Sequence, residues 1–395
     1  MALSTNSITS DPNTARTPPG TPAVMQVLPA LEAGGVERGT VDVTAALTAA
    51  GWRAIVASSG GPMVREILRA GGVHVQLPLN TRNPLRFRAN ARAITEAARE
   101  HQVSLIHARS RAPAWSAVGA ARALKLPFVT TFHGTYSHGN PLKRYYNSVM
   151  LRGDRVIAIS NFIAEHIREV YKVDEAKLVT IPRGVDVATF DPAAVHPHRI
   201  ARLSKAWRLA DDAHVILMPA RLARWKGHQT VIEALPLLQR EDVCCVFVGS
   251  AKGRDSYVAE LDRLVRANKL EHKVRFVDHE LDMPAAYMMA AVVVSASTDP
   301  EAFGRVAAEA QAMGRPVIAT DHGGARETVV PGETGWLVPP RDPPALAAAI
   351  SHALSLSPEM RHIAGSRARA HIIRNFSLEG MCSATLSVYR ELLGR

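Results

Sequence analysis

The chain has 395 residues, 47% of them hydrophobic and 5% aromatic, with a formal net charge of +11. That length exceeds one ordinary core, so two domains are expected, filled by Ala, Val and Leu rather than by rings. No uninterrupted apolar stretch approaches the ~18 residues of a spanning helix, and no CxxC or HExxH pattern occurs, which excludes an integral helical membrane protein and the common zinc sites.

Residues 1–22, rich in Ser, Thr and Pro, read as a disordered tail rather than a secretory signal. Alternating strand-like and helix-like segments follow. Residues 24–28 read as a strand and 36–50 as a helix. Further strands are expected at 54–57, 73–77, 104–107, 128–131 and 156–159, with helices between them. The second half repeats the pattern, with strands at 215–218, 243–248, 274–277, 292–295 and 316–319, then helices at 344–354, 358–374 and 378–393. Repeated strand–helix units imply a parallel sheet covered on both faces.

Residues 184–213 break the alternation, with Pro192 and Pro197 in a polar stretch, and a linker is placed there. The expected fold class is α/β. A first Rossmann-like domain covers 23–190, a second covers 191–375, and a helix over 376–395 packs back onto the first. Two doubly wound domains on a hinge leave a cleft, a favoured place for ligands.

Charge and cysteines add to this. From Arg82 to Lys125 nine basic residues face only Glu96 and Glu100, a balance that suits an anionic lipid surface or an acidic substrate. Cys244 and Cys245 are neighbours in an apolar run and should point to opposite faces of a strand, so a disulfide between them is not expected. Cys382 lies far away in sequence, and the three thiols suit a reducing, cytoplasmic compartment.

The most informative stretch runs from Glu301 to Gly314, after the apolar run 291–296. It reads as strand, loop, helix. Glu301 lies in the loop at the carboxyl end of the strand, where open α/β sheets bind ligands, and Glu309 lies within the helix. Phe303 and Gly304 fall where the helix begins, and a helix start suits a phosphate. Two carboxylates for hydroxyls beside one phosphate-binding helix end is the combination a nucleotide sugar needs. Upstream, Arg221 and Lys226 flank the loop after the first strand of the second half, a guanidinium and an ammonium suited to phosphate oxygens.

In these motifs the chain resembles glycosyltransferase family 4, retaining enzymes of the GT-B fold. The resemblance rests on the spacing of Arg221 and Lys226 and on the run from Glu301 through Phe303 and Gly304 to Glu309. It rests equally on Gly34-Gly35-Val36-Glu37, Thr131-Phe132-His133-Gly134, Ser160-Asn161, Ile181 to Asp186, and Thr320 to Gly324 with Glu327.

It implies that Arg221 and Lys226 hold the donor diphosphate, that Glu309 accepts from the ribose hydroxyls, and that Glu301 contacts the donor sugar. Phe303 and Gly304 would offer backbone donors. Gly34 and Gly35 would let the first domain's loop approach the diphosphate, and His133 would stand at the reacting centre. Tyr136, Lys143 and Arg144 follow His133 and are assigned to the acceptor side.

The resemblance also implies retention of configuration with no metal and no cofactor beyond the UDP- or GDP-linked sugar. The acceptor is expected to be a cell-envelope glycan or glycolipid of lipopolysaccharide type, met at the inner membrane face through peripheral contact with anionic lipid. Nucleic acid is not an expected partner. Other readings of the same residues are an epimerase or phosphorylase-like enzyme on this fold and a non-enzymatic polyanion-binding protein.

Overall fold

The structure is a computed structural model that describes residues 20–395. The tail expected over 1–22 lies outside the described residues as far as residue 19. Among the described residues there are thirteen strands, and the chemistry depends on their order. The first seven are β1 (Ala23–Val27), β2 (Arg53–Ser58), β3 (Val73–Gln76), β4 (Leu105–Ala108), β5 (Phe128–Phe132), β6 (Arg155–Ala158) and β7 (Leu178–Thr180). The remainder are β8 (His214–Pro219), β9 (Val243–Val248), β10 (Val274–Val277), β11 (Ala290–Ser295), β12 (Val317–Thr320) and β13 (Trp336–Val338).

They form a seven-stranded sheet, β3-β2-β1-β4-β5-β6-β7, and a six-stranded sheet, β10-β9-β8-β11-β12-β13, with parallel pairing in both. Each order reverses direction once, between β1 and β4 in the first sheet and between β8 and β11 in the second. Such switch points open a crevice at the carboxyl ends of the strands.

The inner strands of the second sheet, β8, β9, β11 and β12, are buried on both faces, which is why they are largely continuous apolar runs rather than alternating ones. Along β8, Ile216 and Met218 pack with Val231, Leu261 and Ile350 on one face. Val215 and Leu217 pack with Tyr287, Ala307 and Ala310 on the other. Cys245 belongs to the first face and Cys244 to the second, and all three cysteines are buried and outside any disulfide.

By packing, the chain divides into Met1–Phe128 and Val129–Arg395. In the first unit the basic region is mostly on the surface: Arg82, Arg86, Arg88, Arg92, Arg99, Arg122 and Lys125 are exposed. Arg109 departs from that expectation. It is 4% exposed and donates to Gln26 Oε1, so it belongs to an interior network rather than to a surface patch.

In the second unit the stretch expected to be a linker holds a helix, Pro197–Ala206. The last helix, Leu378–Leu392, is anchored at both ends. Val185 bridges Ser377 near its start, and Arg155 at the beginning of β6 pairs with Glu391 near its finish.

Candidate functional site

The site is built at the switch point of the second sheet. After β8 the chain turns through a short 3-10 segment, Arg224–Lys226, before the helix His228–Ala234. Gly227 makes that turn possible. Its φ is +80°, and a Cβ there would lie 1.9 Å from the Ala296 carbonyl oxygen beyond β11. Only glycine tolerates both the left-handed backbone and so close a crossing. The Thr298 amide then donates to the Trp225 carbonyl over 2.7 Å, so the loops after β8 and β11 are fastened together.

That fastening puts Lys226 on Glu301. Lys226 Nζ lies 2.6 Å from Glu301 Oε1, and the Ser297 hydroxyl donates to the same oxygen over 2.5 Å. The two charged side chains are 14% and 18% exposed. A partly buried ion pair needs further bonds to hold it, and Ser297 supplies one. An ammonium has three donors, so Lys226 keeps N–H groups for another anion. Its Nζ also sits 4.1 Å from the centre of the Trp225 ring, a cation–π contact. Arg221 is exposed just past the end of β8.

The loop carrying Glu301 rests on the Gly323–Gly324 turn after β12. The Gly324 amide donates to the Glu301 carbonyl, and a Cβ on Gly324 would meet Phe303 backbone atoms at 2.5–2.7 Å. Gly304 caps the helix Arg305–Ala312 in a left-handed conformation, with no side chain bonding to that helix start. Phe303 is 4% exposed, its ring packed edge-on against Phe376, so its side chain is structural and only its backbone can serve a ligand.

Glu309 is buried in that helix at 8% exposure, a place where an acid is rarely found unless paired. The Tyr287 hydroxyl donates to its Oε2 over 2.9 Å, and Arg305 donates to its Oε1 over 2.7 Å. Burial, followed by the charge of Glu309, pushes the Tyr287 phenol well above its ordinary pKa, so it remains a donor.

His133, half-buried just beyond β5, has its Nδ1 2.9 Å from Arg183. A guanidinium only donates, so Nδ1 accepts, and the neutral ring then carries its proton on Nε2. The His133 amide donates to the Tyr136 hydroxyl over 3.5 Å, and the Tyr136 ring lies against Phe132.

Lys143 and Arg144 are exposed on the helix Pro141–Asn147, where Arg144 donates to the Val170 carbonyl. In the first unit, Gly34 caps the helix Gly35–Ala49 after β1, and a Cβ on Gly35 would meet open space.

Two supports were not singled out from the sequence as site builders. Ser160 Oγ, after β6, donates to the Ala302 carbonyl over 2.6 Å, beside Glu301. Glu327 accepts from the Asn161 and Phe162 amides at 2.9 and 2.7 Å, capping the helix Asn161–Tyr171. No group of three or more potential metal ligands occurs among the described residues.

Two switch-point sheets, with a cation–carboxylate pair at the second switch, define an α/β protein of the GT-B class. Known structures agree. A glycosyltransferase from Rickettsia africae is 39% identical, superimposes with a TM-score of 0.89, and is matched over 95% of this chain and 99% of that one. HepE of Anabaena, solved with UDP-glucose, is 25% identical with a TM-score of 0.80, over 93% of this chain and 99% of that one.

Residues 33–189 match the family described as Glycosyltransferase Family 4, and residues 200–371 match Glycosyl transferases group 1. The chain belongs to the glycosyltransferases of GT-B type. A curated D-inositol 3-phosphate glycosyltransferase from Xylanimonas cellulosilytica is 34% identical over 62% of this chain and 59% of its own length. The chain thus spans less than two thirds of the curated relatives matched first.

Proposed function

We propose that this protein moves a hexosyl unit, with retention of configuration, from a nucleoside diphosphate sugar to a hydroxyl of a cell-envelope glycan or glycolipid. One observation carries the reading: Lys226 and Glu301 are held in contact after β8 and β11, and Glu309 lies on the helix that follows.

In this reading the charges divide the work. As the bond to phosphate breaks, negative charge collects on the diphosphate and positive charge on the sugar. Arg221, the remaining donors of Lys226 and the Gly304 helix start would meet the first. Glu301 would hold sugar hydroxyls, and Glu309 would hold the ribose. His133, with its proton on Nε2, would donate to a sugar hydroxyl at the reacting centre. The acceptor would attack on the face the diphosphate leaves, and the diphosphate would take the acceptor proton. We assign no metal, because Arg221 and Lys226 supply the countercharge.

The UDP-glucose bound to HepE supports uridine as the base. The exposed basic residues of the helix Phe87–Glu100, with Leu85 beside them at 88% exposure, support an acceptor of lipopolysaccharide type met on anionic membrane. Release of UDP or GDP from a panel of their hexose conjugates, with and without lipid-linked glycan, tests the proposal. Acceptor-dependent release supports it; no release from any donor removes it.

A further inference from the structure

A glutamate side chain has three soft torsions, and holding it in one pose costs rotamer entropy. Glu309 is held at both oxygens by donors of different origin. Tyr287 has no exposed surface, stands on the helix Met283–Met289, and packs its ring edge-on against Phe190 at 5.9 Å. Arg305 stands one turn before Glu309 on the same helix, its side chain 47% exposed. One grip therefore comes from the core and the other from the surface. Each carboxylate oxygen has two acceptor positions. With one taken on each, one remains on each, side by side, which matches two neighbouring hydroxyls.

We infer that Tyr287 and Arg305 are positioning residues that aim Glu309 at a vicinal diol and so make the site prefer a ribonucleotide to its deoxy counterpart. The inference rests on the donor-site reading of Glu309. A purely structural role for the two residues gives a different expectation: lower stability with discrimination intact.

Calorimetric titration of the full chain with UDP, GDP and their 2′-deoxy counterparts separates these cases, using the unmodified protein, Tyr287→Phe, Arg305→Met and Arg305→Lys. A lost hydrogen bond to a charged group corresponds to about tenfold or more in affinity. The unmodified protein should favour the ribonucleotide by about that factor. Tyr287→Phe and Arg305→Met should each narrow the ratio to roughly threefold, by weakening the ribonucleotide alone, and Arg305→Lys should recover part of it.

Equal binding of ribo and deoxy forms by the unmodified protein, or binding of neither nucleotide, overturns the reading of Glu309 and this inference with it. A preference that persists unchanged in both variants leaves that reading standing and overturns the inference.

Discussion

Replacing Lys226 with Met separates two jobs that the structure gives to one side chain. The ammonium neutralises Glu301 at 2.6 Å, and it has donors left for a leaving diphosphate. With side chains 14% and 18% exposed, the pair lies between a surface pair, at ~0–1 kcal/mol, and a fully buried one, whose rupture costs about 3–5 kcal/mol. Stranding Glu301 should therefore cost about 2 kcal/mol, or roughly 4–8 °C in melting temperature for a unit of this size. Removing one preorganised donor from developing negative charge costs about 10²–10³ in kcat.

The double variant Lys226→Met/Glu301→Gln removes the stranded charge and should regain most of the melting temperature while transfer stays low. Calorimetry and steady-state transfer at saturating donor read both quantities. Transfer by Lys226→Met close to that of the unmodified protein would refute the reasoning. So would recovery of transfer in the double variant, which would reduce Lys226 to a counterion for Glu301.

Other perturbations follow from the same contacts. Gly227→Ala drives a Cβ to 1.9 Å from the Ala296 carbonyl, so the loops after β8 and β11 must part; thermal unfolding should show a loss of about 2 kcal/mol or more, with transfer impaired because Lys226 moves. Glu327→Gln weakens a charged cap and should cost about 1 kcal/mol, with faster amide exchange at Asn161 and Phe162 than in the unmodified protein.

His228, fully buried between the Phe247 and Tyr257 rings, has its pKa lowered from 6.5 to about 4, chiefly by burial. The unfolded chain takes up that proton below about pH 6.5 and the folded chain does not, so stability falls as pH drops from about 6.5 toward 4, by at most roughly 3 kcal/mol. Denaturant titrations of His228→Phe across that range should show a flatter acid limb than the unmodified protein.

The fold was legible where burial on both faces writes an apolar run. β9 begins and ends where its run does. β7 and β13 were not expected, because each is a three-residue edge strand of largely intermediate burial with no such run. Arg109 looked like one more surface base, since a buried arginine is told from an exposed one only by its partner, and Gln26 lies 83 residues away.

At the site, Lys226, Glu301 and Glu309 could be read from spacing after strands, but their direct partners could not all be. Arg305 was within reach, because four residues on a helix place it beside Glu309. Tyr287 was not, since it stands on a separate helix in an unremarkable apolar segment. Glu327 was visible as part of a motif, while its task of capping the Asn161 helix depends on a contact across 166 residues.

Sugar transfer as proposed requires the loops after β8 and β11 and the helix carrying Glu309 to form a nucleotide site. Ligands that bind the folded state raise the melting temperature. UDP or GDP should raise that of the unmodified protein by several degrees at saturating concentration and leave that of Glu309→Ala nearly unmoved. No rise with either nucleotide, or an equal rise in Glu309→Ala, would contradict it.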